Sequence, residues 1–292
     1  MTIDHDRLFK ELISTFFLEF IELFLPEIAA DIDKNSIQFL PEEVLSDVTA
    51  GEKKVIDLLV KVKYKQQDTF FLIHVEAQSY TQQDFAKRMF KYFARLYEKY
   101  DLPIFPVVIF SFDEPLRAEP KTHSVTFPNL EVLKFEFASI QLNRISWRDY
   151  LTQQNPVAAA LMSKMNISPE ERPQVKAECL RLLTTLRLDP ARMQLISGFV
   201  DTYLNLNEAE EQTFQAAITT MGLDQREEYM EITTSWERKG IQKGIQEGTQ
   251  QAAEQIAVNF LREGFAVEIV AKNTGLSVEK VQQLQAQLQA EN

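Results

Sequence analysis

Two strand-like runs, residues 55–64 and 69–78, constrain the fold of this chain more than any other feature. In VIDLLVKVKYKQQDTFFLIHVEAQ the apolar residues alternate as a pleated strand requires. Turning the chain at Gln66-Gln67 pairs Ile56 with Ala77, Leu58 with Val75, Val60 with Ile73 and Val62 with Phe71. Every member of that face is apolar. A slip of one residue would carry Asp57 or the lysines into it, so the alternation itself fixes the register. The turn has no Asn-Gly or Asp-Gly and adds nothing to that argument.

The same register sets Asp57 opposite Glu76, with Cβ atoms about 4.5–5.5 Å apart. Like charges facing each other destabilise a sheet, so a shared proton, a cationic neighbour or a bound cation must offset the repulsion. A hard divalent ion takes one or two carboxylates plus water and phosphate oxygens. Gln78 lies two residues beyond Glu76, on the same face, and can donate to a water or a phosphate oxygen. His74 shares the face, deeper, opposite Leu59. Spacing alone leaves two readings open: a surface carboxylate pair at a sheet end, and a metal-dependent site.

The next helix bears on that choice. In FAKRMFKYFARLYEKY, residues 85–100, Arg88, Lys91, Arg95 and Lys99 fall on one helical face. Arginines hold phosphates bidentately, and a basic stripe beside a carboxylate pair suits a polyanionic substrate. The alternative is a solvated helix face. Tyr92 and Tyr97 are expected to pack rather than stack on a ligand.

Around this segment the pattern predicts a helix over 6–25 ended by Pro26, an extended stretch at 37–48, a turn at 49–52, a buried strand at 103–112 and extended pieces at 123–127 and 131–138. Helices are expected at 156–166, 170–187, 190–204 and 208–221. This gives an α/β domain over 1–150, a helical domain over 151–232 and a helical tail over 233–292. The net charge is −12, and two thirds of it lies in residues 201–292. The acid therefore sits away from the basic helix. One cysteine, Cys179, and three scattered histidines exclude a multi-cysteine zinc site, while a carboxylate site for a hard cation stays open. No run of 18 apolar residues predicts a membrane span, and the acidic N-terminus does not resemble a signal peptide, so a cytoplasmic protein is expected.

HDRLFKELI at 5–13, VIDLLVKV at 55–62, FLIHVEAQS at 71–79, FAKRMFKYFARLYEKY at 85–100 and PVVIFSFD at 106–113 together resemble the Rpn-like (recombination-promoting nuclease, YhgA-like) branch of the PD-(D/E)xK nuclease superfamily. The resemblance covers residues 4–150 well and the helical remainder more loosely. It implies a restriction-endonuclease-like αβββαβ core followed by an all-helical C-terminal region, and Mg²⁺- or Mn²⁺-dependent hydrolysis of double-stranded DNA in recombination or mobile elements. It assigns Asp57 and Glu76 to the metal and Gln78 to the lysine position of E-x-K. Glu11 is the nearest candidate for a further ligand, with Glu43 a weaker one, and Arg88, Lys91 and Arg95 become phosphate contacts. Restoring the motif with Gln78→Lys is expected to keep or raise cleavage. The competing reading is a non-catalytic DNA-binding or protein-interaction module that retains the nuclease fold.

The tail adds two features. Gly240, Gly244 and Gly248 recur every four residues among Lys, Gln and Glu, which fits a soluble connector or an oligomerisation helix. Ala271, Gly275 and Val281 have the spacing of a helix-turn-helix, with Ser277 as cap of its second helix. That second helix offers Glu279, Lys280 and then mostly Gln and Leu, so DNA contact and protein contact or self-association both remain open.

Overall fold

The computed structural model describes residues 5–41, 44–46, 53–55, 57–65, 70–223, 227, 229–230, 232, 253–262 and 265–290, without the side chains of 44–46, 53–55 and 289–290. It divides into two compact units, Met1–Tyr229 and Met230–Asn292. The architecture is mixed α/β, a sheet followed by a helical C-terminal region. Ile56, Glu43, the turns at 49–52 and 66–67 and the glycine series 240, 244 and 248 lie outside the described residues.

The chain opens with α1 (His5–Thr15), α2 (Phe17–Phe24) and α3 (Pro26–Asp31). A single helix over 6–25 was the expectation. Instead Phe16 adopts φ −122°, ψ 41° and separates α1 from α2, while Phe16 and Phe17 are both buried and continue the apolar stripe of Leu12, Ile13, Phe20 and Ile21. Pro26 does not simply end the helix. Leu25 before it leaves the helical region, which proline disfavours for the residue preceding it, and Pro26 starts α3 at its first position.

The strands are β1 (Gln38–Phe39), β2 (Val44–Ser46), β3 (Lys53–Val55), β4 (Leu58–Lys63), β5 (Phe70–Gln78), β6 (Ile104–Phe110), β7 (Thr122–Phe127), β8 (Leu130–Glu136) and β9 (Ala138–Gln141). The main sheet runs β1-β4-β5-β6-β9, with β2-β3 and β7-β8 as separate two-stranded ribbons. The β4–β5 ladder pairs Leu58 with Val75, Leu59 with His74, Val60 with Ile73 and Val62 with Phe71, the register that the alternation demanded. β6 runs parallel to β5, reached through α4 (Phe85–Tyr100), and β9 runs parallel to β6. On one face of this sheet Leu59, Leu72, Val108 and Phe110 bury against Phe85, Met89, Tyr92 and Leu96 of α4. The helix α1 packs against β5.

After residue 150 come α5 (Pro156–Leu161), α6 (Arg172–Leu183), α7 (Pro190–Tyr203) and α8 (Glu208–Thr220). Side chains that satisfy free backbone N–H groups fix the starts of α5, α7 and α8: Asn155 accepts from Val157 and Ala158, Asp189 from Arg192, and Asn207 forms a capping box with Glu210. α7 returns to the chain's beginning. Phe199 meets Phe9 edge-on at 5.2 Å, and Tyr203 Oη lies 2.9 Å from His5 Nδ1.

In the second unit, α9 (described over 253–262), α10 (Val267–Thr274) and α11 (Val278–Ala290) share a small core of Ala257, Val270, Ala271, Val281 and Leu284. Gly275 ends α10 with φ +74°, a conformation that favours glycine. The Ser277 hydroxyl accepts from Lys280 N–H at 3.2 Å, so the expected cap is present. Among the described residues no helix is long and apolar enough to cross a membrane.

Candidate active site

Side chains at alternate positions of β5 face α4, and this is why His74, Glu76 and Gln78 are all buried on one side of the sheet. Asp57 sits at the bend just before β4. Its carboxylate Oδ2 accepts from Ala77 N–H at 2.7 Å, and its own N–H reaches Glu76 Oε1 at 3.4 Å. The two acids that the sequence set opposite each other are thus adjacent, Asp57 capping the end of the ladder rather than extending it.

Burial, followed by the charge of Glu76, pushes the Asp57 carboxyl up to about 7; the Ala77 N–H opposes that shift. Asp6 and Lys10 of α1 are the next charges acting on Asp57. They place the first turns of α1 beside the pair. Glu11, the candidate third ligand, is exposed, one position round the helix from Lys10.

Glu76 is held from below by His74, whose Nε2 lies 2.8 Å from Glu76 Oε1, a geometry in which the ring N–H donates to the carboxylate. The His74 ring packs against Tyr92, and its Nδ1 is buried without a partner. The pairing was missed at the sequence level, although a histidine two residues before a glutamate on one strand face was a usable signal. Tyr92 packs as expected. Tyr97 is exposed and stacks on Phe93.

Gln78 is fully engaged. Its Nε2 donates to the Tyr80 carbonyl at 2.6 Å, and its Oε1 accepts from Arg88 Nη2 at 2.7 Å. Arg88 Nη1 donates to Gln82 Oε1, and Nη2 lies 3.9 Å from Glu76 Oε2. The guanidinium rests 4.6 Å from the centre of the Phe85 ring. Arg88 is therefore brought into the site. Lys91 is exposed one turn further along α4, and Arg95 lies about 10 Å along the axis from Arg88. The helix carries cations away from the carboxylates like a rail.

A divalent hard cation suits this donor set. Two adjacent carboxylates, one of them destabilised by burial and by the other's charge, provide oxygen ligands whose repulsion a cation would cancel. Among the described residues no cluster of three or more His, Cys, Asp or Glu side chains surrounds a common point. The remaining positions of such an ion would fall to water and substrate oxygens, which is how Mg²⁺ is commonly bound.

The family described as "Putative transposase, YhgA-like" matches residues 3–118, which span α1 to just beyond β6 and contain every residue of this site. A second, described as "Rpn/YhgA-like nuclease family, C-terminal HTH domain", matches residues 250–286, the three-helix unit. The chain belongs to the Rpn/YhgA-like family. The search of curated proteins found no match, and neither did the search of solved structures. In this Rpn/YhgA-like chain the nuclease-associated helix-turn-helix coincides with α10, the Gly275 turn and α11, so the spacing of Ala271, Gly275 and Val281 was a correct reading of the fold.

Proposed function

We propose that this protein is a metal-dependent DNA endonuclease of the PD-(D/E)xK type, acting in recombination or in mobile elements. The observation that carries the reading is the Asp57–Glu76 pair at one sheet end with Arg88 of a basic helix beside it. Asp57 and Glu76 would hold Mg²⁺ or Mn²⁺, which when bound supplies an activated water and neutralises charge on the attacked phosphate. His74 fixes the Glu76 carboxylate, as partners behind a metal-binding group do. Arg88, Lys91 and Arg95 offer a line of cations to successive backbone phosphates of double-stranded DNA. The Rpn-type helix-turn-helix supports a second DNA contact, with exposed Gln282, Gln283 and Gln287 on α11 able to meet base edges. Lys280 is drawn to Glu254 at 3.1 Å, which leaves that helix little charge for phosphates.

Plasmid nicking with Mg²⁺ or Mn²⁺ tests the proposal. Asp57→Ala and Glu76→Ala are expected to abolish cleavage while the protein stays folded. Cleavage at the wild-type rate by both variants sinks the assignment.

Gln78 in the lysine position favours one competing reading, a DNA-binding module that keeps the fold without cutting. That reading predicts salt-sensitive DNA binding and no cleavage with any divalent ion.

A further inference from the structure

The lysine of an E-x-K arrangement brings a positive charge to the face that carries the carboxylates. Here the strand brings an amide instead, and the amide's oxygen is spent on a cation. Gln78 Oε1 accepts from Arg88 Nη2 at 2.7 Å while its Nε2 is tied to the Tyr80 carbonyl at 2.6 Å. Neither end of Gln78 is directed at a substrate. Gln82, in the turn before α4, takes the other terminal nitrogen of the same guanidinium. The plane of Arg88 is supported by the Phe85 and Tyr92 rings, and its Nε is buried without a partner. Two amides and two rings hold the guanidinium, yet its nearest carboxylate oxygen is 3.9 Å away. A charge placed so carefully and so incompletely neutralised suits an incoming anion.

We infer that the cation of this site has moved from the strand to the helix: Arg88 contacts the phosphate, and Gln78 and Gln82 are positioning residues that hold its guanidinium. The inference rests on the nuclease reading for its substrate. It assigns Gln78 a different task from orienting water, and it adds Gln82. It also reverses the expectation for Gln78→Lys. Position 78 is 3 % exposed, so an ammonium there would be buried against Arg88, and the two cations would repel.

The test moves the charge back. Cleavage is measured with Mg²⁺ on the full-length protein. Binding of a duplex oligonucleotide is followed by fluorescence anisotropy in EDTA over a salt series, and folding by thermal melting. Arg88→Gln should cut about tenfold or more slowly and lose about one from the slope of log affinity against log salt. Gln78→Lys alone should melt lower and cut more slowly than wild type. Combining Gln78→Lys with Arg88→Gln should melt above Gln78→Lys and cut faster than Arg88→Gln, since one cation again occupies the site. Gln82→Ala, in a surface turn, should slow cleavage severalfold with melting unchanged. A folded Arg88→Gln protein with the wild-type salt slope overturns the inference. So does a folded double variant that cuts no faster than Arg88→Gln. If wild-type protein fails to cut DNA with every divalent ion tried, the nuclease reading fails by itself, and the salt slope still decides whether Arg88 meets phosphate.

Discussion

Replacing Asp57 with asparagine removes a charge that the fold holds at a loss. The carboxyl is pushed from 3.8 to about 7 by burial and by Glu76. Each pKa unit corresponds to about 1.4 kcal/mol, so an ionised Asp57 lowers folding stability by an amount on the order of 4 kcal/mol. The sign follows from proton counting. Between pH 4 and pH 7 the folded chain keeps the proton and the unfolded chain has lost it, so Asp57 makes stability fall as pH rises through that window and contributes no further change above it. Asp57→Asn keeps an oxygen for the Ala77 N–H and has no charge to desolvate. In EDTA at pH 8 the variant should therefore melt higher than wild type, by an amount on the order of 10 °C as an upper bound for a unit of this size. At pH 4 the two should nearly coincide. Mg²⁺ at pH 8 should raise the wild-type melting temperature and leave the variant's much less changed, because the ion binds the ionised pair. Melting curves at pH 4, 6 and 8, with and without Mg²⁺, measure all of this. If Asp57→Asn is no more stable at pH 8 in EDTA, or if its advantage is the same at every pH, then neither the burial nor the repulsion acts as argued.

Other expectations follow from the packing and from the basic helix. His74→Asn leaves Glu76 without its nearest donor, and cleavage should fall by about ten- to a hundredfold, read in the same nicking assay. Lys91→Ala should leave cleavage chemistry intact and weaken DNA binding across sequences, with the salt slope lower by about one. Phe9→Ala should cost about 3–5 kcal/mol in urea denaturation, because Phe9 is buried against Phe199. Gly275→Ala should cost the second unit about 1 kcal/mol by circular dichroism melting; its Cβ would meet nothing within 4 Å, so only the positive φ opposes it.

The legible parts of this protein were those with local rules. Alternation around Leu58, Val60, Ile73 and Val75 fixed the hairpin register, and the register alone brought Asp57 to Glu76. The helix-turn-helix was legible because a turn glycine, a buried Ala271 and a buried Val281 stand at fixed spacings. β9 escaped notice because Ala138–Gln141 is four residues long and follows β8 after one residue, too short for a period to show. The bend at Phe16 was hidden because the apolar stripe runs through it unbroken. The role of Gln78 was hidden for a different reason. Residues 78, 82 and 88 meet only when the crossover lays α4 over β5, and no spacing along the chain records that geometry.

The clasp between α1 and α7 has a temporal side. Phe9 emerges early in synthesis, and Phe199 and Tyr203, which cover it and hold His5, follow nearly two hundred residues later. At about 5–20 residues per second that is a wait of roughly 10–40 s. Over that interval the first helix has no α7 to cover Phe9, although β5, against which it also packs, is already made. The hairpin can zip locally with the charges of α1 already made, and only the cover over Phe9 waits for a segment translated long afterwards. Translation thus delivers the acidic pair and the charges of α1 well before the helix that closes over Phe9.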